Sequence, residues 1–100
     1  MIFREFATGA GRITLDISVS RRPTPSATYV FADSERAELA RLTTYGVDTM
    51  QALIFCLTAA GDYVKEYLPS ASFAETGVSG LPVTVFDSAT SWKAEMSLPP

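Results

Sequence analysis

The chain has 100 residues, 47% of them hydrophobic, with eight Lys and Arg against eleven Asp and Glu and a net charge of −3. These values exclude a disordered chain and predict a single folded domain over residues 1–100. The basic residues are few and dispersed, so a nucleic-acid partner is not expected, whereas a basic protein partner is compatible with the charge.

The first strands are predicted before residue 21. Residues 2–8 mix apolar and charged side chains, and the glycines at 9 and 11 suit a hairpin turn. Residues 12–20 alternate strictly, and their apolar members lie on one face: Ile13, Leu15, Ile17 and Val19. This alternation predicts an antiparallel sheet with one buried and one solvated face.

Two further segments precede the helix. Residues 27–32 are rich in β-forming side chains and predict a third strand, which a turn at residues 33–34 ends. Residues 35–45 are ambiguous, because their first half favours a helix capped by Ser34 and residues 42–45 favour a strand. We interpret 35–45 as a fourth strand, since a hairpin with the third strand delivers the chain to Gly46.

A helix start is encoded by Gly46, Asp48 and Gln51. Gly46 permits a sharp turn through positive φ, and the Asp48 carboxylate can accept from the free N–H groups of the first turn. Gln51 stands three residues later, where it can reach back to the cap as in a capping box. These roles are structural, and capping explains Asp48 and Gln51 better than ligand binding does.

The helix is predicted from Thr49 to Leu68, where Pro69 ends it. Its apolar residues recur at spacings of three and four: Met50, Leu53, Ile54, Leu57, Ala60, Gly61, Val64 and Leu68. After a stretch rich in Ser, Ala and Gly, residues 81–86 are predicted to be extended. Asp87 or Ser88 could then cap a short helical turn through Trp92 and Lys93.

No combination of residues indicates catalysis. The chain has no His and one Cys, so the commonest general base, the commonest metal ligand and an internal disulfide are missing. Cys56 is interpreted as a small buried hydrophobic residue, and neighbouring carboxylates such as Asp62 and Glu66 as a solvated face. We therefore expect neither an enzyme nor a cofactor or metal.

The aromatic residues Tyr63, Tyr67 and Trp92 are the best candidates for an interaction surface, although Trp92 could instead lock the C-terminal segment onto the core. The longest apolar run, residues 52–57, is too short to cross a bilayer. No basic segment followed by an apolar core opens the chain. We therefore expect a cytoplasmic protein with no membrane partner.

Residues 45–57, Tyr-Gly-Val-Asp-Thr-Met-Gln-Ala-Leu-Ile-Phe-Cys-Leu, resemble the Tyr-Gly-Val-Asp-x-x-Gln-Ala-Leu signature of a family of short bacterial proteins of unknown function. Residues 80–83, Gly-Leu-Pro-Val, are similar to a segment near the end of such proteins. The chain departs from the family at Cys56, where Ala is usual. The resemblance implies strands followed by a long helix and brings no activity.

The expected architecture is α+β: a four-stranded antiparallel meander packed on one long helix, with an irregular C-terminal segment. The residues expected to be buried are Ile13, Leu15, Ile17, Val19, Phe31, Leu53, Ile54, Leu57 and Val64. The leading functional hypothesis is a non-enzymatic protein-interaction module of the inhibitor or immunity type, which could also form a homodimer. The alternative is a small-ligand-binding domain with a pocket between the helix and residues 70–80.

Overall fold

The computed structural model describes residues 2–9, 11–73, 79–88 and 91–96. Its elements in chain order are β1 (Ile2–Thr8), β2 (Gly11–Ser20), β3 (Ser26–Asp33), β4 (Glu38–Tyr45), α1 (Thr49–Tyr67), β5 (Ser72–Phe73), β6 (Pro82–Ser88) and β7 (Ser91–Met96). The predicted α+β class is confirmed, because β1 to β4 form an antiparallel meander that packs against α1.

The main sheet has the strand order β4-β3-β2-β1-β5. Its registers follow the alternation of the sequence, so that Leu15 lies opposite Phe31 on the face covered by α1. The ambiguous residues 35–45 contain a strand, as predicted. The turn before it is held by the Asp33 carboxylate, whose Oδ1 accepts from the N–H groups of Glu35 and Ala37 at 2.9 Å each. The two-residue β5, paired with β1, was not predicted.

The core lies between the sheet and α1. Among the predicted core residues, Ile13, Leu15, Ile17, Phe31 and Val64 are buried, as expected. Leu53 and Leu57 are partly buried and pack against this cluster.

Two predicted core residues are exposed, Val19 by 44% and Ile54 by 51%. Val19 stands near the end of β2, and within the main sheet α1 contacts β3 and β4 more than β2, so β2 is less completely covered. The buried residues of α1 are Ala52, Cys56, Ala60, Gly61 and Val64. Most of these side chains are small and let the sheet approach the helix backbone closely. Ile54 lies on the other side of the helix and is therefore left exposed.

The C-terminal segment contains a β-hairpin, in which Pro82 of β6 pairs with Met96 of β7. The predicted helical turn through Trp92 and Lys93 is therefore wrong, since both residues belong to β7. The hairpin packs on α1 at Gly61, where an added Cβ would lie 1.7 Å from the Pro82 carbonyl oxygen. Within the described residues, no helix is long and apolar enough to span a membrane.

Candidate functional site

The start of α1 is built as a side-chain cap. Asp48 Oδ1 accepts from the Gln51 N–H at 2.8 Å, and Gln51 Oε1 accepts from the Val47 N–H at 2.8 Å. The glutamine therefore reaches one residue further back than a standard capping box. The positive φ expected at Gly46 is wrong. Glycine is required there because an added Cβ would lie 2.6 Å from the Ala52 nitrogen.

Replacing the cap should weaken the fold without touching any core side chain. For Asp48→Ala we expect a loss of about 1 kcal/mol in the free energy of unfolding, since one N–H of the first turn loses its partner. Chemical denaturation would measure it. The matched control is Glu66→Ala, which removes an exposed carboxylate from the same helix. Equal stability of the two variants would contradict the capping role.

The tyrosines on α1 extend the core. The Tyr63 ring stacks on Phe31 with centroids 4.7 Å apart, and Tyr67 lies 5.0 Å from Tyr63 while its own side chain is exposed. Of the candidate interaction residues, Tyr63 thus supports the sheet–helix packing and Tyr67 faces solvent. Trp92 belongs to β7, and its side chain lies outside the described part of the chain.

Cys56 has the environment of a core residue. It is fully buried, and this burial raises the pKa of its thiol, an effect that a hydrogen bond with Thr44 partly opposes. A thiol held neutral in this way is a poor nucleophile. In the described ranges, no group of three or more His, Cys, Asp or Glu could hold a metal ion.

We expect the Cys56 thiol to be inert towards a maleimide in the native protein and to react fully once the chain is unfolded in denaturant. Mass spectrometry of the labelled protein measures the reaction. Rapid labelling of the folded chain would contradict the buried position.

The raised pKa of the Cys56 thiol in the folded state also makes the free energy of unfolding depend on pH. The contribution of this thiol is retained below the ordinary thiol pKa of 9.0 and falls as the pH rises above it.

Large apolar side chains are exposed at the start of α1. Val47 is 85% exposed, Met50 70%, Ile54 51% and Phe55 48%. Met50 and Ile54 are four residues apart, which places them on one side of the helix, whereas Val47 precedes the extended N-cap residue Asp48. We call these four residues the outer helix face. The periodicity of the sequence placed Met50 and Ile54 on the apolar stripe of the helix, and Ile54 was expected to be buried.

A groove of about 490 Å³ adjoins the outer helix face, between α1 and the hairpin. We call it the outer groove, and its lining residues are Ile54, Phe55, Thr58, Ala59, Asp62, Thr84, Lys93 and Ala94. The Asp62 carboxylate accepts from both the N–H and the hydroxyl of Thr84, each at 2.7 Å. The groove therefore depends on the docking of the hairpin, which sequence reasoning missed by assigning a helical turn to β7.

A second cavity of about 300 Å³ lies between the other half of α1 and the chain after it. We call it the C-terminal cavity. Val64 and Leu81 contribute apolar walls, and Lys65 and Glu95 bring opposite charges to its lining. It lies beside the position where the sequence suggested a ligand pocket, although residues 74–78 of that segment are outside the described ranges.

The outer groove offers mainly apolar contact, whereas the C-terminal cavity has both apolar and charged residues in its lining. Comparison with models of known protein families, with curated proteins and with solved structures found no match.

Proposed function

We propose that this chain is a non-enzymatic, cytoplasmic protein-interaction module of the inhibitor or immunity type, which binds a larger protein through the outer helix face. One observation carries the proposal: Val47, just before the cap of α1, and Met50, Ile54 and Phe55 in its first half are large apolar side chains that are each at least 48% exposed. Folded monomers rarely leave large contiguous apolar patches exposed, and such patches commonly mark binding surfaces.

The outer groove suggests the chemistry of the partner. Its walls are mainly apolar, through Ile54, Phe55, Ala59 and Ala94, and the Asp62 carboxylate in it is already engaged by Thr84. A partner segment that inserts a Leu, Phe or Trp side chain would bury apolar surface without leaving a charge unpaired. Such central apolar anchors contribute most of the energy of protein–protein interfaces.

The test is a comparison of three tagged proteins exposed to lysate of the host. Ile54→Lys places a charge in the outer groove, and Val19→Lys makes the same kind of change at a similarly exposed residue of β2. We expect a stoichiometric partner to be retained by the wild type and by Val19→Lys, and to be reduced at least about tenfold by Ile54→Lys.

Direct titration of the purified partner against the three proteins would give the affinities. Equal binding by Ile54→Lys and the wild type would exclude the outer groove as the contact surface. Failure to find any partner with a folded bait would count against the interaction module itself.

The second candidate is a small-ligand-binding domain that uses the C-terminal cavity. The observation in its favour is an open cleft of about 300 Å³ lined by Val64 and Leu81 together with the charged residues Lys65 and Glu95. A thermal-shift screen of small charged metabolites would test it. A ligand that raises Tm for the wild type but not for Lys65→Ala would support this function, and a screen without any shift would weigh against it.

A further inference from the structure

The edge of the sheet at β4 is open. Among the described elements, β4 pairs with β3 on one side and with no strand on the other. It is eight residues long, whereas β5 at the opposite edge has two. Its charged residues, Glu38 and Arg41, are in the first half, and residues 42–45 are uncharged and contain no proline. Such an edge is a template for strand pairing.

The direction of the backbone groups of β4 follows from two contacts. The Gly46 N–H donates to the Pro25 carbonyl at 3.2 Å, which makes this a hydrogen-bonded position of the ladder with β3. Antiparallel ladders alternate, so Thr43 must belong to a non-hydrogen-bonded pair, whose side chains lie closer together. The hydroxyls of Thr28 and Thr43 are indeed 2.7 Å apart.

It follows that alternate residues of β4 direct their N–H and C=O groups away from β3. These residues are Arg41, Thr43 and Tyr45, whose side chains lie on the sheet face opposite α1, as do their partners on β3. The open edge therefore presents three donors and three acceptors in regular order.

We propose that two copies of this chain pair antiparallel through β4, with the two-fold axis passing at Thr43. In this register Thr43 lies opposite Thr43 of the second copy, and Arg41 lies opposite Tyr45 of the second copy. The three outward residues of each copy then exchange up to about six backbone hydrogen bonds. The two five-stranded sheets join into one.

The side chains of the edge favour this register over its neighbours. An axis at Arg41 would place two guanidinium groups directly opposite each other, which is unfavourable. An axis at Leu42 would pair Tyr45 with Leu39. Leu39 is the extra residue at the point where the register between β3 and β4 shifts, so regular pairing is interrupted there. With the axis at Thr43, the Arg41 guanidinium, which also bonds Glu38, can lie over the Tyr45 ring, a cation–π contact.

The exposed surface of the edge suits a second copy with modest affinity. Leu39, Leu42 and Tyr45 are each more than two-fifths exposed, as is the Arg41 side chain. Four side chains on one eight-residue strand are far fewer than the roughly 20–30 residues a side of a standard interface, so we expect a reversible dimer. The edge is self-complementary under the two-fold axis, which favours a second copy over an unrelated strand.

Sedimentation equilibrium of three proteins tests the pairing. The wild type should reach twice its monomer mass of 10.8 kDa as concentration rises. Thr43→Lys places two ammonium groups at the axis and should remain monomeric. Thr28→Lys is the matched control, because it breaks the same Thr28–Thr43 hydrogen bond one strand further inside, and it should dimerise like the wild type. A monomeric wild type at the highest concentration, or equal dimerisation of both variants, overturns the proposal.

A disulfide cross-link between two copies tests the register of the β4 pairing. Opposed residues of a hydrogen-bonded pair have Cα atoms about 5.5 Å apart, within the range that a disulfide spans. Thr43→Cys should therefore form a covalent dimer on mild oxidation, and Thr28→Cys should not. A dimer that Thr43→Cys does not trap would overturn the register. The contact uses β4 and not the outer helix face, so these results are independent of the proposed function.

Discussion

Gly61→Ala should lower the free energy of unfolding by about 2 kcal/mol, although alanine is the better helix former by about 1 kcal/mol. The Cβ would lie 1.7 Å from the Pro82 carbonyl oxygen and 2.8 Å from the Pro82 carbonyl carbon. Both atoms belong to the backbone of the hairpin, so β6 must move away from α1 and strain the hydrogen bonds of Thr84 to Asp62.

Chemical denaturation of Gly61→Ala gives the size of this effect. Gly9→Ala is the control, because an added Cβ there meets nothing within 4 Å. A Gly61→Ala protein more stable than the wild type would show that helix propensity dominates, and that the hairpin does not press on the helix at this residue.

Phe31→Ala should remove about 3–5 kcal/mol of stability, a large part of the roughly 5–15 kcal/mol available to a domain. Phe31 is completely buried in the centre of the sheet. Its ring stacks on Tyr63 and meets Tyr29 edge-on, with centroids 5.2 Å apart. Truncation therefore leaves a cavity and also removes the packing that orients two tyrosines.

Thermal and chemical unfolding of Phe31→Ala measure the loss, with Phe3→Ala as the comparison. Phe3 lies on the opposite face of the sheet and is 58% exposed, so its truncation should cost less than about 1 kcal/mol. Similar losses from the two substitutions would indicate that the buried aromatic cluster contributes little, contrary to the packing seen between β3 and α1.

The strands and the helix start could be predicted because their signals are local. The alternation in residues 12–20 depends only on the period of a strand, and the Asp48 cap depends on residues within one turn. Even the ambiguous β4 could be assigned, because residues 42–45 favour a strand and an extended chain leads directly to the helix start at Gly46. The elements with regular, short-range patterns were therefore accessible from the sequence.

Apolar periodicity predicted the buried face of α1 only in part. Ala60, Gly61 and Val64 belong to the predicted stripe and are buried, whereas Ala52 is buried outside it, and Met50 and Ile54 belong to the stripe but are exposed. The choice depends on how closely the sheet and hairpin approach the helix, which is a property of the tertiary structure. The outer helix face was missed for the same reason, because Ile54 had been assigned to the interior.

The hairpin was missed because its pattern is short and its docking is non-local. Strand formation by residues 91–96 depends on pairing with β6, and β6 is held by Gly61 and Asp62, about twenty residues earlier in the chain. Local capping signals at Asp87 and Ser88 favoured a helical turn, and the tertiary contacts favoured a strand.

From the attachment of the hairpin we expect the molecule to open in two cooperative units. Among the described strands and helix, the hairpin makes its main contact with α1, through β6, and does not extend the five-stranded sheet. The amide protons shared by β6 and β7 can therefore exchange with solvent when the hairpin alone opens, while those between β2 and β3 require global unfolding. Any partner or ligand held between α1 and the hairpin would slow the exchange of the amide protons between β6 and β7. It would leave the exchange of those between β2 and β3 nearly unchanged.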